Sequence, residues 1–211
     1  MAKKLIEMVC TGNNGRSPVA ELIVRNYLES VGATADYDSI SSGTMVDMIK
    51  SGGFPIKVMS PIIDMAKGRE VYTAKELARL DSALREGDAQ TVEGYFNKAA
   101  KIFSEEEARE RGLILGELGI SGDVKNGKDQ TIPRSDAIVV LPMDRKNYEG
   151  VLSIYQNSGF SPVISVMSVL ATGNLNSEVA NAFGQGSDVY RQRIEQLVDE
   201  VPKAVRKIIG A

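Results

Sequence analysis

The sequence predicts an α/β fold built on a parallel sheet of four short strands. Three observations predict it. Apolar runs of strand length alternate with helical periodicities, the pattern of strand–helix–strand units. The strand runs are near-continuous in apolar residues, as in strands buried on both faces. The chain has 211 residues, which suits one domain at about 150 residues each with room for an insertion and needs no staples to bury a core.

Each element follows in order. Leu5 to Val9 is an apolar run with one charge, Glu7, and reads as the first strand. The segment Cys10 to Pro18 reads as a tight loop entering a helix, with Val19, Ala20, Ile23, Tyr27 and Leu28 at helical spacing. Ser17 is placed as its N-cap and Pro18 as its first residue. A second strand runs from Tyr37 to Ser41 and closes at Ser42-Gly43-Thr44. Gly52 to Pro61 reads as irregular. A helix opens with the capping box Thr73 to Glu76, and another opens at Asp88, the two joined tightly as an antiparallel pair. A third opens with a second capping box, Ser104 to Glu107, and runs to about Leu118. Asp136 to Leu141 is a buried strand, Arg145 to Gln156 a helix, and Val163 to Met167 the fourth strand. Ala171 to Gln185 reads as a loop. Tyr190 to Ile208 is a long amphipathic helix that Pro202 is expected to kink or split.

Composition narrows the chemistry. There is no histidine, which removes Ser-His-Asp and Cys-His catalysis and imidazole metal ligands. There is one cysteine, which removes disulfide frameworks and cysteine-cluster metal sites. The charge balance is 25 basic against 28 acidic residues, a net −3, which argues against nucleic acid as the partner. The segment MAKKLIEMVC does not read as a signal peptide, and no window has the ~18 apolar residues of a membrane span. A cytoplasmic location without membrane association is the expectation.

The informative loop is Cys10-Thr11-Gly12-Asn13-Asn14-Gly15-Arg16-Ser17-Pro18. It leaves a strand end and enters a helix. Its Gly and Asn residues tolerate the left-handed conformations that turn successive N–H groups inward into an anion nest. The helix adds its positive terminus, and Arg16 adds a planar fork that matches phosphate oxygens. The same donors would favour a thiolate at Cys10, poised beneath a bound phosphoryl group as a nucleophile. Ser17 would donate its hydroxyl to the sulfur. Thr11 to Ser17 are thus the expected phosphate-binding residues. A lone strand-end cysteine is ordinarily a small buried hydrophobe, and it is the surrounding loop that points to anion binding.

At these residues the chain resembles the low-molecular-weight protein tyrosine phosphatase family, whose loop reads Cys-x-Gly-Asn-x-x-Arg-Ser-Pro-x-Ala-Glu and here CTGNNGRSPVAE. Three weaker likenesses follow in order: Ser41 to Thr44, Ala108 to Ile120, and Asp136 to Asn147 with its Met-Asp turn. The resemblance implies a three-layer, phosphatase I-like fold with a single domain over 1–211. It covers about 1–45 and 105–211, so residues from about 46 to 103 are expected to be a helical insertion. It implies Cys10 as nucleophile, Arg16 as the transition-state clamp, Ser17 as support for the sulfur, Asn13 as the keeper of loop geometry and Ser41 as a partner behind the loop. It implies no metal or organic cofactor.

Three departures bear on activity. Many family members carry a second, protective cysteine in the loop, where this chain has Gly15. The further cysteines of arsenate reductases on this fold are also absent. The family's late-loop Asp-Pro, which protonates the leaving group, falls on Asn181-Ala182 when Phe183-Gly184 and Tyr190-Arg191 are aligned without a gap. A second register uses Asp188, and Asp188 or Glu178 are the carboxylates available to substitute. The insertion begins beside the carboxyl end of strand 2, where ligands bind in open α/β sheets. It is open whether it selects substrate, packs on the body or mediates a dimer. Its Tyr95, Phe96 and Phe103 read as core, and Tyr72 and Tyr148 as aromatics near the site.

The expected function is a cysteine-dependent phosphatase acting on a phosphorylated protein or small molecule, with phosphotyrosine the family default, phosphoarginine a family variation and Asn14 at the position of leaving-group discrimination. The alternative is a phospho-ligand-binding regulatory module with weak or no turnover, favoured by Asn181 and opposed by the retained Cys10, Arg16 and Ser17. A nucleotide-binding regulator would need an acidic ribose partner at a strand end, and none stands out.

Overall fold

The computed structural model describes residues 2–124, 127 and 129–210. Four strands, β1 (Lys4–Cys10), β2 (Tyr37–Gly43), β3 (Ala137–Pro142) and β4 (Val163–Ile164), form one sheet in the order β2-β1-β3-β4, with every pairing parallel. The two-residue period of a strand divides their side chains between two cores. Ile6, Met8 and Cys10 of β1 face the helix that follows them, α1 (Arg16–Ser30), together with Val139 and Leu141 of β3. Val9, Ala137 and Val140 face the opposite way, against Val151 and Tyr155. The fold is therefore the expected three-layer α/β sandwich.

Glu7 is the polar exception on β1. It is fully buried, accepts from the Ser42 hydroxyl (2.5 Å) and from Tyr155 (3.3 Å), and burial pushes its carboxyl above the usual range.

Between β2 and β3 the chain runs through α2 (Val46–Ser51), α3 (Ile56–Gly68), α4 (Ala74–Glu86) and α5 (Ala89–Glu117). These helices have an apolar core of their own, with Met59, Ile63, Leu80, Val92, Ala99 and Phe103 at its centre. After β3 come α6 (Arg145–Tyr155), α7 (Met167–Thr172) and α8 (Ser187–Ile209). Among the described residues no helix is long and apolar enough to cross a membrane.

Five local expectations are corrected. The irregular segment expected over 52–61 is confined to 52–55, because Met59, Ile63 and Ala66 bury one face of α3 and outweigh the cost of Pro61 inside it. The capping box at Ser104 does not form, because the apolar face continues through Ala99, Phe103 and Ile114 and α5 runs unbroken for 29 residues. Ser17 is not an N-cap. Gly15 holds that position without a side-chain bond, and Ser17 lies inside α1. The fourth strand stops at Ile164, and Met167 and Ala171 bury instead on the short helix α7, within what read as strand and loop. Finally, α8 passes through Pro202 as one helix.

Candidate active site

The loop between β1 and α1 is held from outside by its carbonyl oxygens. The Cys10 carbonyl accepts from the Thr44 N–H (3.0 Å) and the Thr11 carbonyl from the Met45 N–H (3.0 Å). The Asn14 carbonyl accepts from the Arg111 guanidinium at 3.0 Å. The N–H groups of Gly12, Asn13, Asn14 and Gly15 have no protein acceptor among the described residues. A loop with carbonyls turned out and N–H groups unspent has the polarity of an anion nest, and the N-terminus of α1 adds to it.

Asn13 makes the turn. It is fully buried with φ at 50°, a left-handed conformation that asparagine tolerates. Its amide donates to the Ser41 carbonyl at 3.1 Å, which ties the loop to β2. Ser41 in turn donates its hydroxyl to Glu21 at 2.6 Å, and Arg25 pairs with the same carboxylate.

Ser17 is buried with its hydroxyl 3.0 Å from the Cys10 sulfur, 3.0 Å from Asn13 Oδ1 and 3.2 Å from the Ser42 carbonyl. One hydroxyl proton serves one of these acceptors at a time. Arg16 stands at the rim. Its Nη1 donates to Asp144 Oδ2 (2.6 Å) and to the Val179 carbonyl (2.6 Å). Asp144 also caps α6 by accepting the Asn147 N–H at 2.8 Å. With its amide oriented to satisfy both ends, Asn147 accepts from the Thr11 N–H and hydroxyl and donates to Asp144.

The late loop passes over this rim at Val179. Two residues on, Asn181 is exposed, and α8 begins only at Ser187. Asp188 therefore lies in the first turn of α8, exposed and making no cap bond, rather than on the loop. Glu178 is exposed and accepts the Arg145 N–H at 3.3 Å. Among the described residues neither carboxylate makes a hydrogen bond or ion pair to the sulfur loop. Tyr72 is away from it too, buried in the helical core with its hydroxyl donating to the Tyr95 carbonyl (2.9 Å). Tyr148 is half-buried on α6. Phe103 is buried, as expected, and Tyr95 and Phe96 are partly so.

Sequence reading missed two groups from α5. Arg111 is buried against the loop at Asn14. Glu107 accepts the Gly184 N–H at 3.2 Å through Oε1, and its Oε2 lies 3.9 Å from where a Cβ on Gly15 would be. Burial raises its carboxyl to about 7, against the opposing pull of the Gly184 N–H, Arg111 and Arg16. The signal was hidden because Ser104-x-x-Glu107 also spells a helix start. Asp144 was visible in the Met-Asp turn but its pairing with Arg16 was not. On the other side, α2 brings Ile49 against the loop, its Cδ1 3.1 Å from the Cβ position of Gly12. Among the described residues no three His, Cys, Asp or Glu side chains are grouped to hold a metal ion.

Solved structures share this architecture. The low molecular weight protein tyrosine phosphatase from T. tengcongensis matches with a TM-score of 0.56 at 19% identity, over 97% of this chain and 99% of that one. A low molecular weight phosphotyrosine phosphatase from Vibrio cholerae O395 matches with a TM-score of 0.55 at 16% identity, over 98% and 95%. The YwlE arginine phosphatase from Geobacillus stearothermophilus matches with a TM-score of 0.54 at 14% identity, over 98% and 94%. No protein-family model and no curated protein sequence matches the chain. The chain has the low molecular weight protein tyrosine phosphatase fold.

Proposed function

We propose that this protein is a cysteine-dependent phosphatase that hydrolyses phosphomonoesters through a phosphocysteine intermediate. The observation that carries the reading is the Ser17 hydroxyl set 3.0 Å from the Cys10 sulfur within a loop whose carbonyls are bonded outward. The unspent N–H groups would receive the phosphoryl oxygens. Arg16 spends only Nη1 on Asp144 and Val179, which reserves its Nε and Nη2 edge for two equatorial oxygens. That edge would bind most tightly as charge spreads over those oxygens in the transition state. Cys10 attacks phosphorus, the leaving group departs, and water then releases phosphate from sulfur. Ser17 stabilises the thiolate at both ends of the cycle.

No metal or organic cofactor enters this scheme. A phosphorylated protein, with phosphotyrosine as the default the resemblance implies, or a small phosphorylated molecule would be the substrate. The similar structures include both tyrosine and arginine phosphatases by name. We read residues 46–103 as inserted into one domain. Its Ile49, beside Gly12 and 46% exposed, offers an apolar flank to the carrier of the phosphate.

The competing reading, a phospho-ligand-binding module without turnover, has Asn181 in its favour. Phosphate release from an activated aryl phosphate separates the two. The unmodified protein should turn over, Cys10→Ser should not, and acid-quenched samples should carry one phosphoryl group on Cys10. Tight phosphate binding without Cys10-dependent release would overturn the enzyme and leave the module.

A further inference from the structure

The phosphatase reading leaves a gap, because an aryl or alkyl oxygen needs a proton as it leaves and Asn181 has none to give. Asp144 has both oxygens engaged, one by Arg16 and one by the Asn147 N–H. Asp188 and Glu178 are exposed, and Glu178 accepts the Arg145 N–H. A further carboxyl joins the two walls of the site. Glu107 reaches from α5 to the late loop through the Gly184 N–H, three residues beyond Asn181, and its second oxygen faces Gly15 of the phosphate loop.

Resting on the phosphatase reading, we propose that Glu107 is the proton donor to the leaving group, supplied by the helical segment between β2 and β3 in place of a late-loop acid. The geometry is fixed from several sides. Arg111, one turn along α5, donates to the Asn14 carbonyl and sets the height of the helix over the loop. Phe103, one turn back, is buried and packs its ring edge-on against Phe183. Gly184 has φ at 75° and a Cβ there would lie 2.8 Å from the Phe103 ring, so the residue whose N–H holds Glu107 has room for no side chain.

The charges around Glu107 come from every packed element. Arg111 and Glu106 share its helix, Arg16 faces it from α1, and Arg69 follows α3. From α8 it meets Tyr190, whose hydroxyl burial pushes up to about 12 and so keeps neutral. Among these, desolvation dominates and holds Glu107 near 7, where it can carry a proton in and lose it.

In the first step the Cys10 thiolate donates an electron pair to phosphorus. The P–O bond to the leaving group breaks with its pair on oxygen, and the Glu107 proton passes to that oxygen. In the second step the Glu107 carboxylate takes a proton from water as the water oxygen bonds phosphorus. The S–P bond breaks with its pair on sulfur, releasing inorganic phosphate and restoring both the thiolate and protonated Glu107.

The test is Glu107→Gln, read on an activated aryl phosphate and on phenyl phosphate. The kcat/KM of the activated ester, which reports the steps up to departure of the leaving group, should change little. The kcat/KM of phenyl phosphate should fall by about 10²–10⁴-fold, and its decline as pH rises through about 7 should disappear. Asn181→Asp on the Glu107→Gln background should restore part of the loss. The unmodified protein gives a second reading that needs no variant to fold. Across substituted phenyl phosphates its kcat/KM should depend weakly on the leaving group below pH 7 and steeply above it. Equal losses of kcat/KM on both substrates, no loss on phenyl phosphate, or steep dependence at every pH would overturn the donor role while leaving the phosphatase standing. Absence of Cys10-dependent turnover on either substrate would overturn the phosphatase, and this inference with it.

Discussion

Gly43 stands opposite Cys10 in the sheet register, and a Cβ there would lie 2.7 Å from the Thr11 carbonyl oxygen and 2.8 Å from the Asn13 nitrogen. Both contacts are backbone, so neither can swing aside. Gly43→Ala should therefore shift the loop as a body and lower kcat/KM by about 10²-fold, with far-ultraviolet circular dichroism unchanged; wild-type kinetics would show that the loop tolerates the shift. At this scale the sequence was legible wherever the chemistry was local. Cys10 to Ser17 form a contiguous string, and their order alone implied the nest, the sulfur and the fork. What was not legible came from distant residues. Glu107 lies 92 positions from Gly15, Arg111 lies 97 from Asn14, and Asp144 lies 128 from Arg16. Tertiary packing decides those pairings, and no local spacing encodes them. Ser17 shows the reverse error. Its type suits an N-cap, yet the sulfur claimed its hydroxyl.

At the scale of elements, helix starts were readable where a side chain caps and misread where packing overrides. The box at Thr73 forms as spelled, with Thr73 accepting the Glu76 N–H and Glu76 accepting the Thr73 N–H. Lys98 and Thr73 hold the Glu76 carboxyl down at about 2. Thr73→Ala should cost about 1 kcal/mol of stability in urea unfolding, with the activity of the folded protein unchanged. A change in kcat would mean that α4 is coupled to the site more closely than its contacts indicate. The same spelling at Ser104 fails because Phe103 and Ala99 need a continuous helical face to stay buried. Pro61 and Pro202 fail as breakers for a related reason, since burial of Ile63 and of Val201 outweighs one lost backbone bond at each.

For the whole molecule, the parallel sheet was legible in the alternation of strand and helix and the three layers in the family resemblance, while the strand order was not; β2-β1-β3-β4 places the ends of β1 and β2 together at the loop. The helical segment has its own core, but α5 supplies Val92, Ala99 and Phe103 to that core and Ile114 and Leu115 to the one beneath the sheet. One unbroken helix thus spans both cores, and the two are expected to unfold together. A ligand held by the loop should be felt throughout, so inorganic phosphate at about 100 times its Kd should stabilise the folded state by about 2.7 kcal/mol. A single calorimetric transition should move to higher temperature with phosphate in the unmodified protein and stay put in Arg16→Ala; two transitions, or no phosphate-dependent shift, would contradict this coupling. The empty Cα of Gly15 has a further consequence. The space a side chain would enter there is the space toward which Glu107 Oε2 points. A loop thiol at that position, able to capture an oxidised Cys10 as a disulfide, would crowd the carboxyl. With one cysteine in the chain, a sulfenic acid on Cys10 has no thiol partner within it, and its rescue as a disulfide falls to thiols supplied by the surroundings.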